Sequence, residues 1–282
     1  MNTTPSPRLQ VEDLNVGFAT GGAIVNAVRG VTFTLNREKL GIVGESGSGK
    51  STVGRTLLRL HPRSARIEAR QLSFDGIDLR SASESTMRGI RGRRMSMIMQ
   101  DPKYSLNPVM RIGEQIGEAY KAHHPASRAE VMQRVLEMLE AVRIREPHRV
   151  YKLYPHEVSG GMGQRIMIAM MLIQQPEIVI ADEPTSALDI SVRLQVLAVL
   201  DELVTQRGLG LIFISHDLNL VRHFCDRVLV MYAGRVVESL AAADLDRAEH
   251  PYTRGLLDSL PSIDHRRKTL PVLQRDPAWL TT

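Results

Sequence analysis

Two short stretches carry residue types whose spacing could do phosphate chemistry. The first is Gly44-Glu45-Ser46-Gly47-Ser48-Gly49-Lys50-Ser51, which fits the pattern G-x-x-x-x-G-K-[ST]. Glycines in such a run let the backbone curl so that successive N–H groups face phosphate oxygens. A helix starting near Lys50 adds its positive N-terminal end. Lys50 supplies charge for the β- and γ-phosphates, the Ser51 hydroxyl can ligand Mg²⁺, and Thr52 completes the binding set. The chemistry is that of a nucleoside triphosphate site. The second stretch is Ile178-Val179-Ile180-Ala181-Asp182-Glu183, an apolar run ending in two carboxylates. At the carboxyl edge of a sheet, Asp182 is placed to hold the water shell of Mg²⁺ and Glu183 to polarise an attacking water.

These residues need a frame. Leu40-Gly41-Ile42-Val43-Gly44 reads as a short buried strand leading into the glycine loop, and residues 50–58 read as the helix that follows. Residues 178–181 and 211–214 are further β-branched runs of the kind found in buried parallel strands. Residues 127–142 form the clearest helix: Ser127 and Glu130 have capping-box spacing, and Val131, Val135, Met138, Leu139 and Val142 share a face. Residues 228–232 and 235–238 flank Ala233-Gly234 as a hairpin would. Strand–helix alternation predicts an α/β core with a parallel sheet. Residues 101–175 read as helical without strands, and a proline-bearing, mixed-charge tail follows about residue 260.

Composition narrows the class. The 282 residues are 43% hydrophobic and 24% charged, enough apolar material for a core, which excludes disorder for the bulk of the chain. No apolar stretch approaches the roughly 20 residues that span a bilayer, so a membrane-docked protein remains open and a membrane-spanning one does not. The first ten residues show no secretory signal, and a single cysteine, Cys225, rules out an internal disulfide framework and a cysteine-based metal cluster. Both point to the cytoplasm. Formal charge is +5, with four arginines among residues 88–94 and a second basic run at 265–268. Aromatics make up 4% and do not interleave with the arginines, so these runs read as solvated surface.

Between the two phosphate motifs lies Val158-Ser159-Gly160-Gly161-Met162-Gly163-Gln164-Arg165, which resembles the signature sequence of ATP-binding cassette (ABC) ATPases. Other marks of that family stand in order. Gln100 in Met99-Gln100-Asp101-Pro102 looks like the Q-loop. Ser186-Ala187-Leu188-Asp189 looks like the D-loop. His216 in Ile214-Ser215-His216-Asp217 looks like the switch histidine, and Phe18 stands where the family has an adenine-stacking aromatic. Ser105-Leu106-Asn107-Pro108, Tyr154-Pro155-His156-Glu157 and His250-Pro251-Tyr252-Thr253 are similar to the oligopeptide, dipeptide and nickel importer branch.

The resemblance implies a P-loop NTPase fold: a RecA-like parallel-sheet core, an antiparallel β subdomain and an inserted helical subdomain at about residues 101–175. The nucleotide-binding domain would span 6–256 and a C-terminal extension 257–282. It implies ATP and Mg²⁺ as cofactors, with Gln100 touching the metal or the water and His216 the γ-phosphate. Ser159, Gly160 and Gly161 precede a helical run over 164–173, so they form an anion site at a helix N-terminus. One chain then holds two phosphate sites. The family arrangement uses both by pairing two ATPase subunits head to tail, each phosphate loop facing the other's signature.

The implied partners are a second ATPase subunit, identical or different, and two membrane permease subunits. A periplasmic or extracellular solute-binding protein takes part indirectly, and no nucleic acid is involved. The implied location is the cytoplasmic face of the inner membrane. Gly163 departs from the arginine common in the branch, and glycine within a helix costs about 1 kcal/mol. Arg37 stands where glycine is common before the first phosphate-binding strand. The cysteine-rich C-terminal segment of many branch members is not found here. Three rival classes stand beside this reading: a soluble ABC ATPase acting on nucleic acid or ribosomes, an exporter ATPase, and an assembly module without useful hydrolysis. One cassette without sustained heptads disfavours the first, the importer-branch motifs the second, and Glu183 with His216 the third.

Overall fold

The structure is a computed structural model and describes residues 7–186, 188–259, 276 and 279. Ala187, the Tyr104 side chain and the basic run at 265–268 lie outside the described residues, as does nearly all of the expected C-terminal extension. In chain order the first elements are β1 (Leu9–Thr20), β2 (Ala23–Leu35), β3 (Lys39–Val43), α1 (Lys50–Leu57), β4 (Arg66–Glu68), β5 (Gln71–Phe74) and β6 (Ile77–Asp78). Next come α2 (Glu84–Ile90), β7 (Met95–Ile98), α3 (Pro102–Ser105), α4 (Ile112–Lys121), α5 (Arg128–Ala141), α6 (Pro147–Val150), α7 (Gly160–Leu172) and β8 (Ile178–Asp182). The chain continues through α8 (Ile190–Arg207), β9 (Gly210–Ser215), α9 (Leu218–Phe224), β10 (Arg227–Tyr232), β11 (Arg235–Ala241) and α10 (Pro251–Asp258). Two compact units result, one of residues 1–82 with 212–282 and one of residues 83–211.

The first unit contains an antiparallel sheet ordered β2-β1-β5-β6, with β4 also pairing with β1. Leu9, Val11, Leu14 and Val16 of β1 all point into the core. Their spacing slips between Val11 and Leu14, where the register shifts and Asp13 has a φ of 51°. A polar knot holds this bulge: the Asp13 N–H donates to Thr32 Oγ1, the Asn15 amide to the Asp13 carbonyl, and the Gly30 N–H to Asn15 Oδ1. A second sheet in the same unit runs β11-β10-β3-β9, most of β9 belonging to this unit. β3 and β10 are parallel, with Leu40 opposite Arg227 and Val43 opposite Val230. Leu40, Ile42, Val43, Val228, Val230 and Met231 are fully buried, as strands covered on both faces require. The short turn from β10 to β11 through Ala233 and Gly234 forms the hairpin the sequence predicts.

In the second unit β7 and β8 pair in parallel, Met95 opposite Ile178 and Ile98 opposite Ala181. Arg94 and Glu177, which immediately precede these two strands, form an ion pair at 2.6 Å. Between residues 98 and 178 the described elements are all helical. In α5 the Ser127 hydroxyl caps the helix by accepting the Glu130 N–H, and Val131, Val135, Met138 and Leu139 are buried. Buried Gln115 of α4 fastens the loop before it: its amide donates to the carbonyls of Asn107 and Met110, and its oxygen accepts the Asn107 N–H.

Helix α7 corrects one boundary. The sequence places its regular run from Gln164, whereas the structure starts it at Gly160, with the Ser159 hydroxyl accepting the Met162 N–H at 3.4 Å. Two glycines at a helix start carry weak helix propensity, which hides the start from sequence reasoning. Gly161 answers to packing: a Cβ there would stand 2.4 Å from Val192 Cγ1 of α8. Gly163 does not, since a Cβ would meet only Pro102 Cγ and Cβ, at 3.7 and 3.8 Å.

The two glycines therefore respond in opposite directions. Gly163→Ala raises unfolding stability by about 0.5–1 kcal/mol, while Gly161→Ala lowers it by about 1–3 kcal/mol. Leu139→Ala, at a fully buried site, costs about 2–5 kcal/mol. Denaturant midpoints of the three variants check all three signs.

Candidate functional site

The phosphate loop joins β3 to α1. Gly44 has a φ of 152° and Gly49 a φ of 99°. A Cβ on Gly44 would stand 2.1 Å from the Met231 carbonyl oxygen, and one on Gly49 2.4 Å from that of Ala27. Both conformation and space therefore demand glycine at these two positions. The loop closes on itself through Ser48 N–H to the Glu45 carbonyl (3.2 Å), and the Ser48 carbonyl accepts the Gly234 N–H (3.0 Å). Lys50 is buried, and its ammonium group donates to the carbonyls of Gly44 (2.8 Å) and Glu45 (2.9 Å). Reaching back in this way, the side chain places its positive charge inside the loop.

Three observations fit an anion there. The Ser48 hydroxyl is buried and lacks a hydrogen-bond partner. No side chain caps α1 at Gly49, and no acidic residue occupies its first turn. A helix N-terminus left without a carboxylate or hydroxyl cap favours a phosphate. Ser46 and Gly47 at the loop tip are exposed, so the seat opens to solvent.

Phe18, on β1 opposite Val25, is half-buried. Its ring meets the His61 imidazole edge-on at 5.3 Å. His61 Nε2 lies 2.9 Å from Thr56 Oγ1 and 3.1 Å from the Thr52 carbonyl, so the histidine ties the aromatic ring to α1. Burial lowers the His61 pKa below its ordinary value, against the Thr52 hydrogen bond, which raises it. Sequence reasoning missed His61, because a lone histidine after a helix carries no spacing signal.

His216 follows β9 and is exposed. The turn that presents it is fixed by the Asp217 N–H donating to Ser215 Oγ, and Asp217 then caps α9 by accepting the Leu220 N–H.

In the second unit Asp182 ends β8 and is buried, with Glu183 directly after it. Glu183 has a φ of 47°, a left-handed conformation unusual for a side chain of this length. The Ser186 N–H and hydroxyl, at 3.3 and 3.2 Å, both donate to the Glu183 carbonyl and close the turn. Gln100 is exposed after β7, and its amide donates to the Glu183 carboxylate at 3.5 Å, so the structure brings these two predicted residues together. Asp189 caps α8: its carboxylate accepts the Val192 N–H and the Ser191 hydroxyl. The Val192 N–H, chiefly, holds its pKa below the usual carboxylate range.

Ser159 and Gly160 are exposed at the start of α7, while Gly161 is buried against α8. Beside them lies a cleft of about 470 Å³, lined by Asp101, Pro102, Leu106, Pro155, Ser159 and Gly163 among others. No helix among the described residues is long and apolar enough to cross a membrane.

Comparison with known proteins agrees with this geometry. Residues 28–186, over half of the chain, match the family described as ABC transporter. The chain is 48% identical over 262 residues to a probable peptide ABC transporter ATP-binding protein of Sinorhizobium fredii, covering 92% of this chain and 78% of that one. It is 46% identical over 258 residues to the oligopeptide transport ATP-binding protein of Salmonella typhimurium, covering 91% and 77%. A bacterial ABC transporter cassette solved as a dimer superposes with a TM-score of 0.73 at 26% identity, covering 83% of this chain and 98% of that one. The same cassette in a post-hydrolysis state bound to ADP and Pi gives 0.72 at 26% identity, with the same coverage. The fold is that of a P-loop NTPase with parallel and antiparallel sheets, and the chain is an ATPase that belongs to the ABC transporter family.

Proposed function

We propose that this chain is the ATP-hydrolysing subunit of an importer for peptides or a related small solute. The observation that carries the catalytic half is the loop at 44–51, with its glycine-only backbone, its buried unpartnered Ser48 hydroxyl and its in-folded Lys50. Its peptide half is supported by the two relatives above, whose names place them in peptide transport.

Within this reading the loop amides, Lys50 and Ser48 receive the triphosphate, with Glu45, Ser46, Gly47, Ser51 and Thr52 lining the same seat. Phe18 stacks on the base. Ser51, Asp182 and Gln100 are the oxygen donors this reading assigns to Mg²⁺, which takes few protein ligands alongside phosphate oxygens and water. A cation held there would supply positive charge against the phosphates. Glu183 orients and deprotonates the attacking water, and His216 steadies the γ-phosphate. Gln100, bonded to Glu183, is placed to carry nucleotide state toward the cleft beside α3. That cleft and the 104–108 segment would take a cytoplasmic helix of a permease subunit, so the chain would work at the inner face of a membrane.

Ser159, Gly160 and Gly161 supply a second phosphate site, for a nucleotide seated in another ATPase subunit. ATP binding then draws two subunits together and hydrolysis releases them, which drives alternating access in two permease subunits. A solute-binding protein would deliver the cargo.

The test is Glu183→Gln. The variant keeps the side chain's shape, retains ATP binding and loses hydrolysis by about 10²–10⁴-fold. It accumulates as an ATP-bound dimer in light scattering, with its natural ATPase partner added if the pair is mixed. Hydrolysis at the unaltered rate contradicts the role given to Glu183.

A further inference from the structure

The motif His250-Pro251-Tyr252-Thr253 has no part in the chemistry above, yet the structure brings it to the phosphate loop. Glu238 of β11 accepts the N–H groups of Glu249 (2.7 Å) and His250 (3.3 Å) and so fixes the approach. His250 Nδ1 then caps α10 by accepting the Tyr252 N–H at 3.1 Å, and Pro251 fills the first helical position. The outcome is a fully buried Tyr252 whose phenol oxygen accepts the Glu45 N–H at 3.0 Å, across 207 residues of sequence.

We propose that Tyr252 is a positioning residue for the phosphate loop. Glu45 follows Gly44, where the chain leaves β3 and begins its curl, so its amide sets the direction of the loop's first turn. Fastening that amide to a rigid ring turns the first turn of the loop into a fixed wall. The ring is held in its own right. It lies 4.6 Å from the Tyr232 ring of β10 and 5.8 Å from the Trp279 ring, and Trp279 also meets Tyr232 at 5.7 Å and His250 at 6.3 Å. Packing of this kind needs only the ring. The oxygen serves the loop, because a phenylalanine would fill the same space. Trp279 is the sole tryptophan of the sequence, so its emission reports on this cluster and no other place in the protein.

This inference rests on the ATPase reading and deepens it. The experiment titrates Mg-ATP into the full chain, follows Trp279 fluorescence, and measures steady-state hydrolysis for the unaltered protein, Tyr252→Phe and Tyr232→Phe. ATP changes the Trp279 emission of the unaltered chain. Tyr252→Phe raises KM and the ATP dissociation constant about three- to tenfold and shrinks the emission change, as loss of one hydrogen bond predicts. Tyr232→Phe, which loses an oxygen from the same ring cluster, leaves KM where it was. KM does not depend on the fraction of folded protein, so a partly unfolded variant still gives a decisive answer. Unchanged KM in Tyr252→Phe overturns the proposal, as does an equal rise in both variants. Failure of the unaltered chain to bind ATP overturns the ATPase reading and this inference with it.

Discussion

A phosphate seat built from main-chain amides works only if the backbone stays bent, and bending it is the constraint on which the other features depend. Gly44 and Gly49 take dihedrals that other residues avoid, at points where neighbouring carbonyl oxygens leave no room for a Cβ. Those oxygens belong to Met231 and Ala27, so β10 and β2 act as the walls of a mould. A loop so confined does not reorganise when charge arrives. Preorganised dipoles of this kind account for much of the stabilisation in phosphoryl transfer, where little covalent help is needed.

The other residues proposed for the chemistry divide by what each element can hold still. Strand ends hold single residues: Asp182 at the end of β8 and His216 just after β9. Helix starts hold amides: α1 for the proposed nucleotide and α7, capped by Ser159, for that of the proposed neighbour. Turns hold strained residues: Glu183 keeps its left-handed backbone because Ser186 donates twice to its carbonyl. A second anion site in one chain, as proposed at the start of α7, fits an arrangement in which two chains meet. The related cassette structures are themselves dimeric.

Much of this was legible in the sequence because local rules carry it. The loop, the buried strands at 40–43, 178–181 and 211–214 and the Ser127-capped helix appear where the pattern puts them. Other elements were hidden for physical reasons. The Asp13 bulge in β1 breaks the two-residue alternation, so that strand shows no period in the sequence. Met95-Ser96-Met97-Ile98 lacks the β-branched run that marks a buried strand, although β7 is one. Helix α7 begins on two glycines that only its packing against Val192 explains. Tyr252 and His61 act through contacts over long or irregular separations, which no spacing rule detects. Cys225 illustrates the reverse. Sequence alone gives only its count, whereas the structure buries it and that burial pushes its thiol up to about 12.

The most direct measurement is calorimetric titration of Mg-ATP into the unaltered chain and into Gly49→Ala, with circular dichroism to verify that both are folded. The account predicts one nucleotide bound per unaltered chain and no detectable binding by the folded variant, because a single methyl group at residue 49 unbends the cradle. A folded Gly49→Ala chain that binds ATP with unaltered affinity would place the nucleotide elsewhere and contradict the account at its base.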